Sequence, residues 1–326
     1  TIETFIRCSF IPADRYGLDH DMISSSLRLM PRTSRNINLK DLSISELVIK
    51  EIQKALKRTQ GLIVLAGPTN SGKSTTIAGA VGEHIRFYGE SKKRISLEDP
   101  VERYLDGVIQ VTVENNFAEL MRALLRHDPD MIWVGEIRDA FSSAACVRAS
   151  TSGHIVMSTV HANDSIGSFR AIANYLRKDT GEASGGGASI FDLAESLSLL
   201  IGQRLVRKLC PHCKVQHKIT TDDLDEVKDY LKFEGKGHLI GKAVESLTSY
   251  KVYKAVGCPQ CANLGYLGEM PINEVLPVTR EVKDIFTRSE NSLDKNELSK
   301  HLVISLAESA LDLIKAGHTE LASLFV

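Results

Sequence analysis

The stretch GPTNSGKST, residues 67–75, decides the fold. Gly67, Gly72, Lys73 and Ser74 match the spacing G-x-x-x-x-G-K-[ST], directly after the apolar run LIVLA (62–66) and directly before a helical pattern. That strand–turn–helix setting is the one a phosphate-binding loop requires. Glycines let the backbone curl so that its N–H groups converge on phosphate oxygens, and the following helix adds its positive N-terminal end. Lys73 would neutralise β/γ-phosphate charge and the Ser74 hydroxyl would coordinate Mg²⁺. Pro68, Thr69, Asn70, Ser71 and Thr75 complete the candidate nucleotide-binding segment.

Outward from the loop, RISLE (94–98), MIWVGE (131–136) and HIVMSTV (154–160) are short apolar runs that do not alternate with polar residues. Such runs predict buried parallel strands. Between them, Ile77, Val81 and Ile85 recur every four residues, and FAELMRALLRH places Leu120, Leu124 and Leu125 on one helical face. Strand and helix alternate, which predicts an α/β domain. Upstream, SISELVIKEIQKALKRTQG reads as an amphipathic helix with Ile44, Leu47, Val48, Ile52, Ala55 and Leu56 on one stripe and Ser43 with Glu46 as a capping box. Residues 190 to about 208 and the tail read as helical, and GEASGGGAS (181–189) as a flexible loop. The expected organisation is a partial N-terminal β-containing domain with linker (1–40), an α/β core carrying the phosphate loop (41–205), a cysteine-bearing subdomain (206–265) and a C-terminal helical region (266–326).

At 326 residues, with 43% hydrophobic and 25% charged residues and a net charge of -1, the chain has the composition of a soluble globular protein of roughly two domains. The charge implies no polyelectrolyte partner. No apolar run approaches the ~20 residues of a membrane span, and TIETFIRCSF lacks the features of a signal peptide, so neither export nor membrane crossing is expected. A first residue of Thr1 suggests a piece of a longer chain.

Hydrolysis needs acidic groups to hold metal and orient water. Glu136 ends one predicted strand, and Glu98 and Asp99, with Glu102 close by, end another. The C-terminal ends of parallel strands are where ligands bind, so these carboxylates should face the phosphate loop, as should His161 on the next strand. Two C-x-x-C pairs, Cys210/Cys213 and Cys258/Cys261, are separated by 44 residues. Four thiolates close a tetrahedral Zn²⁺ shell with no open position, which favours a structural metal over a catalytic one. Paired redox thiols are the alternative, disfavoured because no thioredoxin-like pattern surrounds them. Cys8 and Cys146 read as buried small hydrophobes.

GPTNSGKST, ISLEDPVE, LLRHDPDMIWVGEIRD, ASTSGHIVMSTVHANDS and the paired C-x-x-C together resemble, in order, the Walker A, Asp box, Walker B, His box and tetracysteine motifs of the type II secretion and type IV pilus assembly ATPases. The resemblance spans nearly the whole chain. It implies a RecA-like ATPase domain preceded by a PAS-like domain, here truncated. It also implies a homo-hexameric ring, peripheral to the inner membrane on the cytoplasmic side, that works on a polytopic platform protein and other assembly proteins without nucleic acid. Glu136 would then polarise the attacking water, and Glu98 and His161 would support metal, water or γ-phosphate. Arg7 in IRCSFIP and Arg28 in SSLRLM would match two nucleotide-facing arginines. Asn70 stands where the family usually has Gly, and Glu269 replaces an arginine. The tetracysteine favours the assembly branch over retraction or conjugation-type motors. Two other classes are tested against this reading: a nucleic-acid-binding zinc protein, which a net charge of -1 disfavours, and a non-hydrolysing nucleotide-gated scaffold, which measurable turnover would exclude.

Overall fold

The computed structural model describes residues 37–114, 116–177, 188–288 and 293–325 in full, together with the backbone of Thr4–Ala13 and Met22–Pro31. The last two segments are strands β1 and β2, paired antiparallel with Arg7 opposite Arg28. The side chains of Arg7, Cys8 and Arg28, the connection 14–21 and most of the glycine-rich loop (178–187) lie outside the described residues.

Nine further strands follow: β3 (Gly61–Ala66), β4 (Arg94–Glu98), β5 (Ile109–Thr112), β6 (Met131–Val134), β7 (Ile155–Val160), β8 (Leu197–Leu209), β9 (Val215–His217), β10 (Val252–Lys254) and β11 (Tyr266–Pro277). The helices among the described residues are α1 (Glu46–Leu56), α2 (Lys73–Tyr88), α3 (Phe117–Leu125), α4 (Ala140–Thr151), α5 (Ser165–Arg177), α6 (Ile190–Ser196), α7 (Thr221–Phe233), α8 (Ile240–Ser249), α9 (Arg280–Arg288), α10 (Lys295–Ser299) and α11 (Leu306–Lys315). Seven strands form one sheet in the order β11-β8-β3-β7-β6-β4-β5. Six of them are parallel, and β11 closes one edge antiparallel to β8. All four runs expected to be buried parallel strands are found as such, and β3, β4, β6 and β7 are buried at every residue.

Alternate residues of β3 and β8 face opposite cores, as the two-residue period of a strand dictates. Ile63, Leu65, Leu199 and Ile201 pack with Ile52 of α1 and Ile77 of α2. On the other face Leu62, Val64 and Leu200 pack with Val147 of α4, Ile172 of α5 and Leu193 of α6. A third cluster joins α7, α8 and α11 to Val206 and Met270, the outer reaches of β8 and β11. The two longest strands of the sheet thus run out of the central α/β core into the lobe that carries the cysteines. Among the described residues no helix is long and apolar enough to cross a membrane.

Three expectations need correction. Of the segment read as helical from 190, only α6 is helix, and the chain then enters the 13-residue β8. Likewise the region from 266, read as helical, opens with the 12-residue β11. Finally, α1 is capped by Ser45, whose hydroxyl accepts from Val48 N–H, while Ser43 sits in the left-handed region at the end of the preceding turn (Leu39–Leu42) and Leu47 is exposed.

One polar group inside this framework carries a stability prediction. His84 of α2 is buried and accepts a hydrogen bond through Nδ1 from Arg94 Nε at 2.9 Å. Burial, with Arg94 beside it, lowers its pKa from the ordinary 6.5 to about 4. The unfolded chain therefore takes up a proton near pH 6.5 that the folded chain refuses until about pH 4. This contribution is fully present above pH 6.5 and is lost as pH falls toward 4. Denaturant midpoints at pH 7 and pH 5 should separate more for the wild type than for His84→Gln; equal separations would refute the assignment.

Candidate nucleotide site and cysteine cluster

β3 delivers the chain into the loop at Gly67, and α2 begins at Lys73. Gly72, the residue before the helix, has φ 80° and offers no side-chain cap, so no side chain competes for the first-turn N–H groups of α2. A Cβ on Gly67 would lie 2.4 Å from both the Gln203 carbonyl oxygen and Ser71 Oγ, so the close approach of β8 requires glycine there. The Lys73 ammonium donates to the carbonyls of Gly67 (2.8 Å) and Pro68 (2.7 Å), and Ser71 Oγ donates to Pro68 O (2.9 Å). Burial lowers the Lys73 pKa, and the nearby Glu136 charge opposes that shift. Ser74 is exposed and Thr75 half-buried in the first turn, while Pro68, Thr69 and Asn70 form the outer rim.

Asn70 has φ 63°, in the left-handed region. Asparagine enters that region more readily than other non-glycine side chains. Asn70→Gly is expected to leave stability almost unchanged and Asn70→Val to cost about 1–2 kcal/mol, read from urea denaturation. Equal stability of the two variants would contradict the loop conformation.

β6 and β7 are neighbours in register, and Ile137 N–H donates to Thr159 O at 2.8 Å just past the end of β6. That places Glu136 beside His161, with Oε1 and Nε2 3.0 Å apart. Both side chains remain partly open to solvent, at 37% and 50%. Lys73, Glu136 and His161 thus converge at the C-terminal edge of the sheet. Glu98 ends β4 but turns elsewhere: it is buried and accepts from Ser96 Oγ (2.6 Å) and Gln110 Nε2 (2.9 Å) of β5. Burial raises its pKa against those two hydrogen bonds. Gln110 also accepts from Leu105 N–H and donates to Arg103 O, so Glu98 is tied to the loop 99–105. Asp99 of the same loop pairs with Arg138 at 3.2 Å.

Sequence reasoning missed the residues behind the loop. Gln203 of β8, 1% exposed, donates to Ser71 O (2.8 Å) and accepts from Thr76 Oγ1 (2.9 Å) and Asn273 Nδ2 (3.1 Å). Glu274 of β11 accepts from both N–H (3.1 Å) and Oγ (2.6 Å) of Ser165 at the start of α5. With β8 and β11 read as helix, no pattern pointed to either.

Cys210, Cys213, Cys258 and Cys261 are brought together with all four sulfurs within 4.8 Å of one another. The separations Cys210–Cys258 (3.9 Å), Cys213–Cys261 (3.8 Å) and Cys258–Cys261 (3.7 Å) match the ~3.8 Å edge of a tetrahedron with ~2.3 Å metal–sulfur bonds. Cys261 Sγ also accepts from Cys258 N–H and Gly265 N–H, each at 3.2 Å. Burial pushes its pKa up, but these donors and the neighbouring thiols outweigh burial and bring it down to about 6. A preformed four-sulfur cage with N–H donors suits a tetrahedral metal ion.

Comparison with known proteins agrees with this geometry. The chain is 31% identical over 299 residues to the type II secretion system protein E of Aeromonas hydrophila, covering 90% of this chain and 54% of that protein. It is 33% identical over 279 residues to the type IV pilus assembly ATPase PilB of Pseudomonas aeruginosa, covering 84% and 44%. The chain therefore spans about half the length of the curated relatives it matches. Two solved structures share the fold at a TM-score of 0.61 and 21% identity: the Legionella pneumophila ATPase DotB, covering 97% of this chain and 70% of that one, and the pilus retraction motor PilT with bound ADP, covering 97% and 76%. A model of the type II/IV secretion system proteins matches residues 4–325, and with the phosphate loop, the Glu136–His161 pair and the four-sulfur cage in place, the chain belongs to that family.

Proposed function

We propose that the chain hydrolyses ATP and converts the cycle into domain motion that drives addition of pilin or pseudopilin subunits. The observation that carries this reading is the convergence of Lys73, Glu136 and His161 at one end of the parallel sheet. The backbone N–H groups of 67–75 and the start of α2 would bind the phosphates, with Lys73 leaving its carbonyl partners for the β/γ oxygens. Mg²⁺ on the Ser74 hydroxyl would offset phosphate charge. Glu136 would accept the proton of the attacking water, and His161 would orient the Glu136 carboxylate or contact the γ-phosphate. Glu98, at the end of the strand beside β6, accepts from Ser96 and Gln110 at Oε1 and would support metal and water through Oε2 from the Asp-box side.

Arg7 and Arg28 would supply positive charge to the transition state, an effect worth roughly 10³ to 10⁵ in rate where such fingers operate. Their cross-strand register supports a shared role. Zn²⁺ in the Cys210/Cys213/Cys258/Cys261 cage would be structural, holding the lobe built on α7, α8 and α11. The working assembly would be a homo-hexamer, peripheral at the inner membrane and acting on a polytopic platform protein; the curated relatives' names place them in secretion and pilus assembly. Steady-state ATPase assays beside measured oligomeric mass test this: turnover that tracks the hexamer supports it, and ATP binding by a hexamer with no turnover favours the scaffold alternative.

A further inference from the structure

Adjacent residues of a strand point to opposite faces of its sheet, so neighbouring positions on β8 and β11 can reach two different parts of one site. Gln203 lies opposite Asn273, and Gly202 opposite Glu274. On the face of α1 and α2, buried Gln203 holds the Ser71 carbonyl of the phosphate loop and the Thr76 hydroxyl of α2, and Asn273 fixes the Gln203 amide from behind. Asn273 is itself held through its N–H by Ser309 Oγ of α11 at 3.1 Å, which links this chain of bonds to the cysteine-bearing lobe.

On the opposite face, Glu274 is 4% exposed and places Oε1 on both donors of Ser165, the first residue of α5. A Cβ on Gly202 would lie 3.0 Å from Ser165 N, so this position lets α5 come down onto the strand where the carboxylate can reach it. Arg204, two residues further along β8, donates through Nη2 to Asn163 O at 3.3 Å. Arg204 therefore grips the short loop that begins with His161, the partner of Glu136, and Glu274 grips the first residue of α5, into which that loop leads.

We propose that the β8–β11 ladder positions both halves of the nucleotide site: Gln203, backed by Asn273, sets the phosphate loop, and Glu274 sets the His161–Glu136 pair through Ser165. These are positioning residues, since none of them touches Lys73, Glu136 or His161 in the contacts above. The inference rests on the ATPase reading for its kinetic consequences, but its structural arm does not.

The two halves should fail differently. Glu274→Leu removes both bonds to Ser165 and is expected to lower kcat about 10- to 100-fold with the ATP KM within about 2-fold, because the misplaced group acts on chemistry and not on phosphate binding. Glu274→Gln keeps an oxygen that accepts both bonds, so it should retain kcat within about 3-fold. Gln203→Leu is expected to raise the ATP KM about 10-fold or more with a smaller change in kcat. Backbone amide exchange, followed by mass spectrometry on the same proteins without nucleotide, should rise at 161–166 in Glu274→Leu and at 68–74 in Gln203→Leu. Should Glu274→Leu fail to fold, Ser165→Ala deletes the 2.6 Å hydroxyl bond alone and should show the same split at smaller amplitude.

Unchanged exchange at both segments overturns the proposal, whether or not the wild type hydrolyses ATP. Parallel losses of kcat and KM in every variant, or a Glu274→Gln as impaired as Glu274→Leu, also overturn it, because they mark a merely structural role. A wild type without turnover refutes the ATPase reading instead and leaves the exchange data to decide the ladder.

Discussion

Glu136→Gln is expected to reduce ATP turnover by about 100-fold or more while nucleotide affinity stays within about 2-fold. The amide keeps the size and most of the hydrogen-bonding capacity of the side chain, including its contact with His161 at 3.0 Å, but it cannot accept a proton from water. It also removes a negative charge that would repel the nucleotide phosphates, so nucleotide binding should not weaken. Steady-state turnover and fluorescent-nucleotide titration on wild type and variant, with oligomeric mass recorded in parallel, supply the check. A variant that turns over at more than about a tenth of the wild-type rate removes Glu136 from the chemistry and shifts attention to Glu98.

If the four-cysteine cage holds zinc as proposed, its removal should have the largest effect on stability. Structural Zn²⁺ sites contribute apparent binding energies of about 10–16 kcal/mol in small domains, and that energy is folding energy. Here the cage ties the end of β8 to the start of β11, and the third apolar cluster depends on those strand ends through Val206 and Met270. Purified chain should contain about one zinc per molecule. Cys261→Ser, which removes the thiolate that accepts two N–H donors, should lose the metal and lower the apparent melting temperature by about 10 °C or more. Limited proteolysis should then cut first between 210 and 261. A metal-free chain with an unchanged melting curve and no new cleavage would sink the structural-zinc reading.

Some of this protein was legible as plain text because the signals are local. A phosphate loop is a covalent spacing between a strand and a helix, and C-x-x-C pairs bring their own ligand spacing, so Lys73, Ser74 and the four cysteines could be named as candidates without tertiary information. The parallel strands β3, β4, β6 and β7 stood out because burial on both faces leaves an uninterrupted apolar run. Leu197–Leu209 was misread for the converse reason: its Leu197, Leu199 and Leu200 lack the β-branching that marks a strand, and the run is long enough for a helix. Pro271 and the polar Asn273 and Glu274 hid β11 in the same way. Proline is tolerated there because β11 is the edge strand, and the two polar residues are buried because Gln203 of β8 and Ser165 of α5 satisfy them.

Composition and spacing by themselves determined the fold class, the loop 67–75 and the four cysteines as candidate metal ligands, since each is a matter of residues within reach along the chain. Tertiary structure alone decided that Glu136 meets His161 while Glu98 turns to Gln110, and that Gln203 bonds Ser71 and Glu274 bonds Ser165. Those choices depend on strand order and register, which bring Gln203 to Ser71, 132 positions away, and no local pattern encodes which strand will lie beside which.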